Sequence, residues 1–380
     1  MSEPRPIKHD SGLIDVLRGV SAIFVMLSHA RNFVLVDFRE GAPSAFRAIF
    51  YLATGLGHFS VVIFFVLSGF LISQSVSRID WKNANSVLAY LIARFTRLWV
   101  VLLPALLLTA CWDCLAITLT GSGFYRGEME YFHSGPQGYA KLGILTFLEN
   151  AAFLQTIVGP VYGSNTPLWS LAYEFWYYLA FPALYFVALP FGRAKSFIIT
   201  SVAAILFLIG RQFGIQIVAL FATWVVGFLV VIARSGKLSN RTRVASFAAG
   251  LLGLGFVVWA SRLKWLNDLD VDLFEAVAVG AVILGASSWK LPKSWKLPIS
   301  LSAEMSYSLY LTHFPLLALL SALILRNQRL EFGAEGLLIF AAAAAACIVQ
   351  AGLLYAAFER HTALVRRWLM SWMLRGSVRD

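Results

Sequence analysis

Long apolar runs broken by short, basic polar segments set the pattern of this chain. Ten runs stand out, at 13–34, 58–76, 92–119, 167–190, 197–211, 213–233, 244–261, 273–289, 299–325 and 335–358. They are continuous rather than alternating, which predicts membrane-crossing helices and argues against a barrel. The third and ninth are long enough to tilt or break, and the fifth is short. The apolar stretch 144–158, ILTFLENAAFLQTIV, carries Glu149, Asn150 and Gln155 and falls short of a full crossing, so it predicts an interfacial or re-entrant piece. The opening MSEPRPIKHDSG is polar, and no small-residue cleavage site follows the first run, which therefore reads as a retained span. The Ala-rich AAAAAACIVQAG reads as helix-favouring span material.

Composition agrees: at 59% hydrophobic and 13% charged, with mean hydropathy +0.73, the chain lies far from soluble averages. The expected fold class is all-α, a polytopic membrane protein of about ten transmembrane helices. With the N-terminus inside, Lys and Arg favour the cytoplasmic loops two to one, which predicts cytoplasmic N- and C-termini. The same bias accounts for the net charge of +11 through anionic headgroups, with no nucleic acid required. The expected organisation is a cytoplasmic segment 1–12, a membrane domain 13–360 and a basic cytoplasmic tail 361–380. The outer loop GSGFYRGEMEYFHSGPQGYAK, with Glu128, Glu130 and His133, is either a solvated loop or a lid over an acceptor.

Several polar residues lie at costly depth. Arg18 and His29 are eleven positions apart in the first run, so on a helix they share a stripe, about 16 Å apart along the axis. A cation and a base so placed should face a polar cavity, or else snorkel and bond a neighbouring helix. In the second run Ser68-Gly69 permits close helix approach. Arg94 and Arg97 share a face at the start of the third and are shaped to grip phosphates. Glu174, among aromatics in the fourth, calls for a partner, with Arg18 or His29 as candidates. His313 lies mid-span in the ninth, near Tyr310 and Ser306. Cys111, Cys114 and Cys347 lack the accompanying ligands of a metal site, and no metal is expected. Neither a P-loop, a dinucleotide fingerprint nor a zincin motif is present.

Six segments in order, LRGVSAIFVMLSHA, FFVLSGFLIS, ARFTRLWVVLLP, LWSLAYEFWYYL, SYSLYLTHFP and the closing FER, resemble the integral-membrane acyltransferase-3 family from about Leu13 to Arg360. The resemblance implies a ten-helix core that uses cytoplasmic acyl-CoA, usually acetyl-CoA, to O-acylate a sugar or other hydroxyl-bearing acceptor, often in a surface glycan. It also implies a bacterial inner-membrane location. By its motifs Arg18 and His29 match the family's first-span pair, and Arg94 and Arg97 its paired arginines. Ser68 and Gly69, Glu174 and His313 match the remaining conserved positions. The chain departs at the apolar Val62-Ile63 before FFVLSG, at Phe175 after Glu174, and at His361 after FER. These departures bear on the acceptor more than on the chemistry.

Acyl transfer from a thioester to an alcohol needs a base for the hydroxyl proton and a donor for the oxyanion. His29 is the first-span base, and imidazole titrates closest to neutrality. The expected site therefore places His29, Arg18 and Glu174 in catalysis. Arg94, Arg97 and Arg18 are expected on the CoA phosphates, and His313, Ser68 and Tyr310 at the acceptor. Expected partners are acyl-CoA, a saccharide or glycolipid acceptor and membrane lipids. His29 acting as general base and His29 carrying the acyl group are both open readings. The rival class is a transporter or flippase, in which the same charges would line a substrate pathway.

Overall fold

The computed structural model describes residues 11–40, 44–121, 142–236, 238–286, 292–326 and 328–376. The helices are α1 Ser11–Val34, α2 Ala45–Ala53, α3 Gly57–Val76, α4 Ala84–Thr120, α5 Ile144–Ala151, α6 Leu168–Ala188 and α7 Lys195–Phe213. They continue as α8 Gln216–Ser235, α9 Asn240–Arg262, α10 Asp268–Gly285, α11 Lys293–Glu304, α12 Ser306–Leu320, α13 Ala334–Ala357 and α14 Thr362–Gly376. No strand forms among the described residues; two isolated bridges, Leu35 to Leu330 and Gln155 to Gly159, are the β-type contacts present. The fold is all-α and polytopic. The loop carrying Glu128, Glu130 and His133 lies outside the described residues.

Among the described residues, nine helical stretches are long and apolar enough to cross a membrane. The expected span at 273–289 corresponds to α10, whose first half holds Asp268, Asp270, Asp272 and Glu275 and which stays out of the nine. The expected span at 299–325 is broken at Met305 into α11 and α12. By contrast α4 runs without a break over 37 residues, past Pro104. The 144–158 stretch forms only the eight-residue α5 before the chain turns, far short of a bilayer. Large apolar side chains such as Phe197, Leu252 and Leu353 point outward, as lipid contact requires.

The chain forms two compact units. The first comprises Met1–Ser21, Val61–Arg78 and Ala180–Ala303. In it α3 and α8 meet backbone to backbone, because lipid tails offer no hydrophobic drive and close packing must supply the attraction. A Cβ on Gly69 would lie 1.9 Å from the Trp224 carbonyl oxygen, and one on Gly227 2.2 Å from that of Val66. Val66, Phe70, Val230, Val279 and Ile283 fill the surrounding core. Gly69→Ala is therefore expected to push the two helices apart at about 1–3 kcal/mol, read as a lower melting temperature in detergent. Unchanged melting would show that this contact yields freely.

The second unit comprises Ala22–Ser60, Ile79–Leu179 and Glu304–Asp380. Its axis is α12, buried at every position from Ser308 to Leu319 and packed between α4 and α13. Between α5 and α6 the chain is irregular, with Phe153 (φ 58°) and Thr156 (φ 61°) in the left-handed region. Buried side chains hold it there. Asn150 donates to the Thr146 and Pro160 carbonyls and accepts from Tyr162 N–H. Gln155 donates to Leu168 O, and Asp113 on α4 accepts both N–H and Oγ–H of Ser164 at 2.7 Å. Asn165 ties the segment to Thr109 Oγ1 on α4 (3.1 Å) and Leu311 O on α12 (2.8 Å). Such polar ties satisfy groups that would otherwise be orphaned away from water.

Candidate active site

Two of the residues singled out by their depth meet directly in the second unit. His29 Nδ1 on α1 lies 2.8 Å from His313 Nε2 on α12, with the rings 12° from parallel and their centroids 5.1 Å apart. The other nitrogen of His313, Nδ1, is 2.9 Å from Leu309 O, one turn back on α12. A carbonyl only accepts, so His313 Nδ1 carries a hydrogen and, in the neutral ring, Nε2 accepts. His29 must then donate from Nδ1, which leaves the lone pair on His29 Nε2. The backbone of α12 thus sets the tautomer of a base two residues away in the relay. Phe314 packs edge-on against His29 at 5.0 Å and against Phe33, fixing the ring plane.

Around this pair the supports are polar and buried. Gln350 on α13 donates to Thr312 O at 2.9 Å and receives Trp112 Nε1 at 2.8 Å. Tyr310, whose ring centroid is 6.1 Å from that of His313, shares a 2.6 Å hydrogen bond with Ser170 Oγ on α6. Glu174, one turn beyond Ser170, has the Tyr178 phenol as its hydrogen-bond partner. Of the two partners expected for Glu174, Arg18 and His29, His29 is met by His313, while Glu174 takes a phenol i to i+4 along its own helix.

The paired arginines differ from one another. Arg97 donates to Glu359 Oε1 at 2.8 Å and sits over the Tyr307 ring. Glu359 Oε2 accepts the N–H (3.0 Å) and the hydroxyl (2.7 Å) of Ser308 at the start of α12. Arg94 lies over the Tyr90 ring, and its Nε is buried with no hydrogen-bond partner among the described residues. Glu359, within FER, is a site residue that sequence reasoning missed. The available signal was a carboxylate directly after a 24-residue apolar helix, α13, where an acid must find a cation or donors.

Arg18 and Ser68 belong to the first unit. Arg18 is half-buried and lies on α1. Ser68 accepts from Trp224 Nε1 at 3.1 Å, beside the Gly69 contact, which gives it a packing role in that unit.

A half-buried base with a fixed lone pair is chemistry suited to acyl transfer. The sequence profile of an acyltransferase domain matches residues 12–356. The chain belongs to the acyltransferase-3 family. Among curated relatives, this acyltransferase-3 protein is 27% identical over 330 residues to Nodulation protein 10 of Rhizobium leguminosarum bv. viciae, covering 80% of this chain and 83% of the relative. No solved structure matches it. It is a multi-pass integral-membrane acyltransferase.

Proposed function

We propose that this acyltransferase moves an acetyl or other short acyl group from cytoplasmic acyl-CoA to a hydroxyl of a saccharide or lipid-linked saccharide, in a bacterial inner membrane. The observation that carries this reading is the His29–His313–Leu309 relay, which leaves His29 Nε2 as a proton acceptor. Nε2 takes the acceptor's hydroxyl proton as its oxygen attacks the thioester carbonyl. The C–S bond then breaks, and the imidazolium returns the proton to the departing CoA sulfur. We favour general-base action, with the His313 contact orienting the imidazole. We assign Arg94 to a CoA phosphate, with Arg97 held beside it by Glu359.

The test is release of free CoA from acetyl-CoA by protein in nanodiscs, with an envelope-glycan extract as acceptor. Wild type is expected to release CoA only when acceptor is present. Arg94→Ala is expected to raise KM for acetyl-CoA about tenfold with kcat nearly unchanged, as loss of one charge-assisted phosphate contact implies. A folded wild type that neither binds acetyl-CoA nor releases CoA would overturn the reading.

A further inference from the structure

The second unit contains an apolar cavity of about 170 Å³ that the proposed reaction does not use. Its walls include Val34 at the end of α1, Leu317 and Leu320 on α12, and Ala342, Ala343 and Ala346 on α13. The room comes from sequence: the alanine run that favours helix also strips side-chain volume from the α13 face turned to α12. The end wall is the widened π turn Ser321–Leu325, which continues α12. Such turns are rare and gather at functional sites.

Position gives the cavity a meaning. Along α12, Ser308 marks the Glu359–Arg97 pair, His313 marks the base, and Leu317 opens the cavity. At about 1.5 Å per residue these levels are roughly 7 Å and 6 Å apart. In an acyl-CoA the carbon chain leaves the carbonyl on the side opposite sulfur. With the CoA toward the Arg97 level and the carbonyl at His29, the chain runs toward Leu317. Resting on the proposed acyl-CoA reading, we infer that this cavity receives the alkyl chain of the donor, so that the protein accepts acyl groups longer than acetyl up to about six carbons. An apolar cavity of about 150 Å³ stays dry and holds benzene, which sets that length.

The test uses full-length protein in nanodiscs with acetyl-, butyryl-, hexanoyl- and octanoyl-CoA, following CoA release with one glycan extract. Wild type is expected to turn over butyryl- and hexanoyl-CoA within about fivefold of acetyl-CoA and to drop sharply at octanoyl. Ala343→Leu and, independently, Ala346→Leu are expected to lower kcat/KM for hexanoyl-CoA at least tenfold while keeping acetyl-CoA within twofold. A wild type confined to acetyl-CoA overturns the inference and leaves the acyl-CoA reading standing. Equal losses on all donors would assign the cavity to the acceptor, and no change on any donor would assign it to a membrane lipid tail. Either result overturns the inference. No release from any donor overturns both.

Discussion

His29→Ala is expected to lower kcat for CoA release by about 10²- to 10⁴-fold, the usual contribution of a positioned base. Its KM for acyl-CoA should move little, because the phosphate contacts assigned to Arg94 lie elsewhere. The companion variant is His313→Ala, which keeps the base but removes the acceptor that fixes its Nδ1–H. Without it the imidazole is free to choose the other tautomer, so a loss of about 10- to 100-fold is expected, smaller than that from removing the base itself. His313→Gln restores a carbonyl able to accept from Nδ1 and should recover part of the rate. A packing role for His313 would show no such recovery. Stopped-assay kcat values across pH check this: the limb reporting a base should vanish in His29→Ala and shift in His313→Ala. Retention of a tenth or more of wild-type kcat in His29→Ala would remove it from the chemistry.

Glu359→Ala is expected to destabilise the protein by about 2–4 kcal/mol. Three donors lose their acceptor at once: the Arg97 guanidinium, the Ser308 N–H and the Ser308 hydroxyl. The Arg97 side chain keeps 34% of its surface exposed, so part of its charge is still hydrated and the upper end of the range is not reached. The larger share comes from Ser308, because the start of α12 has its N–H and hydroxyl buried against this carboxylate. Since α12 carries His313, kcat should fall by about tenfold even at temperatures where the protein is folded. Glu359→Gln keeps one acceptor oxygen and should fall between wild type and alanine. Thermal melting of the two variants, and of Glu359→Ala combined with Arg97→Ala, separates the contributions. Additive losses in the double variant would mean the ion pair is energetically idle.

Helix positions were legible because membrane spans announce themselves by run length. Most observed ends fall within about four residues of the expected ones. The largest departure is in the third run, where α4 starts at Ala84 rather than at 92, and the ninth run, expected from 299, divides into helices starting at 293 and 306. The first turns of α4, ANSVLAYL, mix polar and apolar residues, so no unbroken apolar run marks where the helix begins. α2 was missed for the same reason: AFRAIFYLA is short, and Arg47 interrupts it. In the site, the polar residues themselves were readable from their depth, whereas partners from different helices were not. The His29–His313 contact joins residues 284 positions apart, and Glu359 reaches Arg97 across 262. No local pattern encodes such distances. For Glu174 the sequence offered Arg18 or His29 as partners, and the structure adds a phenol one turn away on its own helix, Tyr178.

The irregular segment between α5 and α6 has one more consequence. Lacking a backbone ladder, it is tied instead to α4 by Asp113, to α12 by Asn165, and to itself by Asn150. These three ties are buried, so they do not compete with water, and the residues that make them are held to the helices. Its opening free energy is that of separating whole helices rather than that of a surface loop. The tied part of the stretch is therefore anchored as firmly as the helices it joins.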